Sequence, residues 1–543
     1  MTEFLQLILA ATVSMLVIPI VRRLAPRLGL VDLPDPRKVH TIPIPRVGGW
    51  GITLGILLPL LLTVEHDRLV QSFLVGCATL FAFGVWDDAR SIGHWKKFLG
   101  QLITAGLVVY WGDLWVSRMP FMEVAIPAWI GKPFTMFALI GVINAINHSD
   151  GLDGLAGGEA MLSLLALAAL GFASKSILML SIAAATIGGI FGFLRYNSHP
   201  AYVFMGDCGS QVLGFTLGFL VVYLTQTADM EVSAALPLLI LGVPLADIIS
   251  VLYQRISGGM NWFKATRNHL HHRLMQIGFD HHETVMIIYS MQAALVVSAV
   301  LVRYQSDLMV TLLYLGVIAA LLGALTLAER SGWHVARAHG TPSTLSRAVA
   351  RFKESDTLIK GPLYVITAIT PIAILLGAVW SGPVDQRFAI GAAVVALVPA
   401  IQLLWPQRVS PALLRMVIYA AAVFPGWVLI SEPASMPYPV QLLIAALVVL
   451  LLAAIVLYMR LDGNRRFETN PTDYLIACGV VALLVSGGIG LSSRNVVGAI
   501  LLAIVLMYAS EIIVGSGQGS TGRRWLEYST LGTLLIISVR GVF

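Results

Sequence analysis

Long uncharged apolar runs recur along almost the whole chain, and no other feature restricts its fold as severely. With 57% hydrophobic and 12% charged residues over 543 positions, most of this chain must be solvated by lipid. Runs that could each form a membrane helix lie near residues 4–21, 48–64, 69–86, 98–112, 134–147, 160–175, 178–195, 211–225, 234–252, 284–302 and 308–328. Seven more follow near 362–381, 388–405, 412–430, 439–459, 473–490, 494–515 and 525–540. The expected fold class is therefore all-α: a polytopic integral membrane protein, with eleven transmembrane helices in a core and seven in a C-terminal extension. The polar stretch 329–361, with Gly340, Pro342 and six basic residues, marks the boundary. It divides the chain into a core (1–330), a basic linker (331–361) and an extension (362–543) whose role the sequence does not disclose. No sequence repeat relates the two halves. The first run begins behind Glu3 without a basic leader or a small-residue cleavage pattern, so a retained helix is expected. Cys77, Cys208 and Cys478 are too dispersed to suggest a disulfide framework or a thiolate metal site.

The basic residues alternate with the loops. Twenty fall in the odd-numbered loops of the core and five in the even-numbered ones. By the positive-inside rule the odd loops are cytoplasmic and the N-terminus lies outside. The net charge of +6 is thus a topology signal, and no nucleic-acid partner is expected. The same parity places four polar clusters on one membrane face: Asp87-Asp88, Asp150 with Asp153, Asp207, and the run His269-Leu270-His271-His272. Carboxylates beside membrane segments are costly and by default functional. Clusters far apart in sequence but on one face are free to converge.

Each cluster suits a particular chemistry. Asp87 and Asp88, at a helix end, supply oxygens for a hard cation or a base, or else simply end a helix near Arg90. Asn144 to Gly158 mixes glycines with Asn147, His148, Ser149, Asp150 and Asp153, allowing close backbone approach to a phosphate; a flexible turn is the plainer alternative. EF-hand spacing is absent. Asp207 stands between glycines just before an apolar run, where helix amides favour anions. Arg267 to Arg273 concentrates donors able to grip a diphosphate. Zinc is the rival there, with His281 and His282 nearby, but no acidic or thiol partner lies at familiar spacing. The first loop adds Arg37-Lys38-Val39-His40 and Pro45-Arg46-Val47-Gly48-Gly49. Asp247, inside an apolar run, reads equally well as a site residue or as a satisfied interior group. Together these residues fit metal-assisted phosphoryl transfer, and the absence of a Walker-type loop points away from a P-loop nucleotide hydrolase.

These five motifs, in this order, resemble the polyprenyl-phosphate N-acetylhexosamine-1-phosphate transferases, a family related to the phospho-N-acetylmuramoyl-pentapeptide transferases. The resemblance covers about residues 1–330. It implies Mg²⁺-dependent transfer of a sugar-1-phosphate from a UDP-N-acetylhexosamine to undecaprenyl phosphate, releasing UMP and initiating a cell-envelope polysaccharide. Mn²⁺ would serve as a substitute ion. By motif, Asp207 would be the principal metal ligand, with Asp153 and Asp88 beside it. Asp87 would orient or deprotonate the lipid phosphate. Asn147 and Asp150 would bind the nucleotide sugar, and Lys38, Arg46, His269, His271, His272 and Arg273 would contact phosphates. The family setting implies a bacterial cytoplasmic membrane, an active site facing the cytoplasm and, as an option, a homodimer. Two departures stand out: His148-Ser149 replaces an apolar pair, and the extension is foreign to the family core. The His-Leu-His-His form favours the sugar-specific branch, with UDP-GlcNAc as the implied donor, over the muramoyl-pentapeptide branch. A transporter of ions or lipid-linked sugars is the alternative of another class, disfavoured because most of the charges sit at span ends.

Overall fold

The computed structural model of the chain describes residues 2–34, 42–259, 269–335, 356–381, 386–405, 411–431, 438–461, 493–515 and 520–540, with residues 384, 408 and 409. The chain divides into two compact units, one comprising Thr2–Ala336 and the other drawn mainly from residues after Arg337. The first contains α1 (Thr2–Leu28), α2 (Gly48–Thr63), α3 (Arg68–Arg90), α4 (His94–Gly106), α5 (Ala128–Ser149), α6 (Leu155–Ala173) and α7 (Ile177–Asn197). It continues with α8 (Asp207–Tyr223), α9 (Leu236–Ile240), α10 (Gly242–Ser257), α11 (Leu270–Ile277), α12 (His281–Leu301) and α13 (Asp307–Ser331). The described part of the second unit is α14 (Asp356–Val379), α15 (Gln386–Leu404), α16 (Pro411–Ser431), α17 (Tyr438–Leu461), α18 (Ser493–Gly515) and α19 (Ser520–Arg540). The seventh expected extension span, 473–490, lies outside the described residues.

The protein is thus an all-helical, multi-pass membrane protein. Each of the eleven core runs is helical. Nine described helical segments are long and apolar enough to cross a bilayer, eight of them in the first unit. The only strands described, β1 (Val31–Asp32) and β2 (Ile44–Pro45), pair antiparallel with Asp32 opposite Ile44. Arg46 continues from β2 into a parallel bridge with Phe204, tying the first loop to the entry of α8.

The run expected as one helix at 234–252 is two, broken at Leu241. Pro244 lacks an N–H and its ring crowds the carbonyl four residues back, that of Ile240. Unpaired backbone groups in the bilayer must find partners inside the protein. Gln292 of α12 supplies both: its Oε1 accepts from Val243 N at 2.9 Å, and its Nε2 donates to Ile240 O at 2.9 Å.

Helix α8 is the axis of the first unit. Among the described membrane spans, Asp207–Ala228, which α8 opens, is the most enclosed. Close approach of α2 and α3 requires glycine: a Cβ on Gly49 would stand 2.3 Å from Gly209 N, and one on Gly84 2.3 Å from Cys208 Cα. Small residues permit such contact where no hydrophobic force drives helices together in lipid. The consequence is local, since both contacts fall on the first turn of α8, beside Asp207. In the second unit the described helices pack around Ile366, Ile418, Leu451, Leu506 and Leu526.

Candidate active site

A cavity of about 920 Å³ opens where the ends of α3, α5 and α7 meet the starts of α4 and α8. Asp87 lies in the last turn of α3, which ends in a left-handed turn at Ser91. The chain reverses there, and Ile92 N donates to Asp87 Oδ1 at 2.9 Å. The short connection returns Lys97, in the first turn of α4, to the same point. Lys97 Nζ bridges Asp87 Oδ2, at 2.7 Å, and Asp207 Oδ2. Two carboxylates more than a hundred residues apart thus share one ammonium.

The other groups hold this pair in place. Asn147 Nδ2 donates to Asp207 Oδ1 at 2.8 Å and to Ser210 Oγ at 2.7 Å. Behind it, Asn144 donates to Gln101 at 2.9 Å, joining α5 to α4. Asp88 is placed differently from the expected metal ligand: its two oxygens accept from Asp207 N at 2.9 Å and Cys208 N at 3.1 Å. These are first-turn amides of α8, which favour a carboxylate by hydrogen bonding and by the helix dipole. Asp88 therefore anchors the backbone that carries Asp207. Gly206 adjoins it at φ +74°, and a Cβ there would meet Asp88 Oδ2 at 2.6 Å.

Asp150 lines the cavity, its carboxyl pushed up to about 7 by burial first and then by the charges of Asp207, Asp88 and Asp153. Asp153, expected beside the cation, turns instead toward the α7–α8 loop. Its Oδ2 accepts from His199 Nδ1 at 2.7 Å and from Ala201 N at 3.1 Å. Burial alone would raise the Asp153 carboxyl, but these hydrogen bonds outweigh it and hold the group below the usual range. Arg46 lines the cavity and pairs with Asp32 of β1.

The histidine run divides. His272 reaches the cavity. His269 is buried and donates from Nδ1 to Asp247 Oδ2 at 2.7 Å, while Leu270 N donates to Asp247 Oδ1 at 2.7 Å. Asp247 is thus the acceptor that starts α11, resolving its two sequence readings in favour of a support for the run. His271 is buried against Gly151 and pushed down to about 3, by burial first and then by the charge of His272. Arg273, expected on phosphate, makes a two-point ion pair with Glu329 of α13 at 2.7 and 2.9 Å and is absent from the cavity wall. Lys38 lies outside the described residues.

Asp87, Asp88, Asp207, Asn147, Asp150, Asp153, Arg46 and His272 all line the one cavity. Lys97, Asp32 and His199 were missed as site residues. For Lys97, its position ten residues past Asp87, just beyond Gly93, is the signal available in the sequence.

The model of the glycosyl transferase family 4 matches residues 70–225, the segment from α3 to the end of α8. The chain is 31% identical over 308 residues to a probable undecaprenyl-phosphate N-acetylglucosaminyl 1-phosphate transferase of Bacillus subtilis, covering 55% of this chain and 86% of that protein. It is 32% identical over 285 residues to the undecaprenyl-phosphate alpha-N-acetylglucosaminyl 1-phosphate transferase of Haemophilus influenzae, covering 51% and 80%. A decaprenyl-phosphate N-acetylglucosaminephosphotransferase of Mycobacterium tuberculosis is 29% identical over 301 residues, with 50% and 74% covered.

Proposed function

Because the chain belongs to glycosyl transferase family 4, the polyprenyl-phosphate N-acetylhexosamine-1-phosphate transferases, we propose that it transfers N-acetylglucosamine-1-phosphate from UDP-N-acetylglucosamine to undecaprenyl phosphate. The observation that carries this reading is the meeting of Asp87 and Asp207 on the Lys97 ammonium at the wall of the cavity. A cation already stands between the two carboxylates, and their oxygen donors suit Mg²⁺, or Mn²⁺ in its place. Asp87 and Asp207 would hold the ion, which when bound neutralises charge on the diphosphate oxygens.

The protein's own groups do the rest. Asn147 and Asp88 fix Asp207, one through its carboxylate and the other through its backbone. Lys97, when released from the carboxylates, and Arg46, Lys38 and His272 supply donors to phosphate oxygens, while Asp150 contacts the nucleotide sugar. Asp87 orients the acceptor. An oxygen of the lipid phosphate attacks the β-phosphorus of the donor, and the bond from that phosphorus to the bridging oxygen breaks. UMP leaves with the bonding electron pair, and a lipid diphosphate sugar forms. No proton need be removed first, because a phosphate monoester is largely ionised near neutral pH. On this reading the cavity faces the cytoplasm of a bacterium, the N-terminus lies outside, and the product initiates an envelope polysaccharide.

A donor panel tests the proposal. Purified protein with undecaprenyl phosphate and Mg²⁺ should release UMP from UDP-GlcNAc only when lipid is present; no lipid-dependent UMP from any UDP-N-acetylhexosamine would refute it.

A further inference from the structure

The acidic neighbours of His281 and His282 in sequence, Asp280 and Glu283, are engaged in capping α12, but the fold brings another carboxylate from a distant loop. Asp153 comes from the α5–α6 loop, His199 from the α7–α8 loop, and His281 opens α12. One ligand atom of each lies within 4.8 Å of the others. His199 Nδ1 is 2.7 Å from Asp153 Oδ2, and His281 Nε2 is 3.3 Å from the Asp153 carbonyl oxygen. The two imidazoles stack at 4.1 Å between centroids, and His282 stands edge-on to His199 at 5.1 Å. His282 Nδ1 is buried without a hydrogen-bond partner among the described residues.

The three elements are fastened to one another. Asn197 Oδ1 accepts from Gly154 N at 2.8 Å while its Nδ2 donates to Val203 O at 2.9 Å, joining the two loops. Tyr289 of α12 donates to Gly154 O at 2.7 Å, joining the helix to the same place. Asp280 and Glu283 form a reciprocal cap that fixes where α12 begins, and so where His281 stands. Such supports hold metal ligands in a preset geometry.

We infer that Asp153, His199 and His281 form a second cation site in the same cavity, of transition-metal character and separate from the Asp87–Asp207 site. Two imidazoles and one carboxylate match Zn²⁺, Co²⁺ or Ni²⁺, whereas Mg²⁺ favours oxygen donors alone. The two groups share no partner: Asp207 is held by Lys97 and Asn147, Asp153 by His199 and Ala201. Asp153 and His199 keep part of their side-chain surface open, so an ion reaches them from the cavity. Three protein ligands leave a coordination position free, with His282 as a candidate to fill it.

Co²⁺ is the probe, because its visible spectrum reports nitrogen ligation. Full-length protein without a polyhistidine tag, in detergent, should bind one equivalent of Co²⁺ with intense visible bands, displaced by Zn²⁺ and not by excess Mg²⁺. His199→Gln and His281→Gln should each weaken binding roughly tenfold or more, while Asp207→Asn leaves it intact. Absence of saturable Co²⁺ binding to the wild-type protein would overturn the assignment. So would displacement by Mg²⁺, binding that survives both histidine substitutions, or binding lost in Asp207→Asn. The wild-type titrations decide the matter even if a variant fails to fold, and none of these outcomes depends on transferase activity.

Discussion

Replacing Asp88 by alanine distinguishes an anchor from a metal ligand. In the wild-type protein its carboxylate accepts two backbone N–H groups of α8, at 2.9 and 3.1 Å, with the side chain almost fully buried. Hydrogen bonds to a charged group contribute about 1.5–3 kcal/mol each, and the buried amides left behind have no evident substitute. The two together amount to roughly 3–6 kcal/mol of local restraint on the turn that carries Asp207. If even about 3 kcal/mol of that restraint is expressed in the transition state, turnover falls on the order of a hundredfold. A cation titration of UMP release separates the roles. Asp88→Ala should lower kcat by roughly 10²-fold or more while the Mg²⁺ midpoint moves only a few-fold. Near-normal kcat at saturating Mg²⁺, with a midpoint raised by two orders of magnitude or so, would refute the anchoring role and restore Asp88 as a ligand.

The remaining expectations concern groups around that turn. Lys97→Met removes the ammonium between Asp87 and Asp207, so the free protein should bind Mn²⁺ more tightly by magnetic resonance titration while turnover falls by roughly 10²-fold; unchanged Mn²⁺ affinity would count against competition between Lys97 and the ion. Asp247→Asn weakens the anchor of His269 and the start of α11, and should cost roughly 10–100-fold in kcat/KM; a smaller loss would mean that the histidine run holds itself in place. The Asp150 carboxyl, raised to about 7, is protonated and neutral at pH 6 and largely ionised at pH 8. A proton and a divalent cation compete for this neighbourhood, so Mn²⁺ affinity should rise with pH across that window; Asp150→Asn should flatten the rise, and a slope that persists in the variant assigns it to another group.

Much of the fold was legible because lipid allows few choices. Apolar runs located the helical segments of the core, each of the eleven runs being helical although one of them holds two helices. The break at Leu241 was less visible: Pro244 was in plain sight, but its acceptance within the unit depends on Gln292, fifty residues away in sequence. At the site, Asp87, Asp207 and Asn147 stood out because each lies in a polar cluster at the end of an apolar run. Lys97 did not, since a basic residue in such a loop already has a topological explanation. Asp88 and Asp153 were expected beside the metal by motif, and a motif announces a carboxylate and not the direction it faces. Both are turned by backbone amides, of α8 in one case and of Ala201 in the other. Arg273 is diverted by Glu329, a partner that only the packing of α11 near α13 reveals.

The central claim is that a phosphorus–oxygen bond of the donor diphosphate breaks at the β-phosphorus, with the acceptor supplied from the bilayer. The most direct measurement follows the two phosphates separately, using UDP-GlcNAc labelled with ³²P at the α or the β position, undecaprenyl phosphate and full-length protein. The β label should appear in the lipid fraction and the α label in UMP, both in equal amounts and both lost in Asp207→Asn. Release of the β label in water-soluble form, or capture of neither label by lipid, would contradict it.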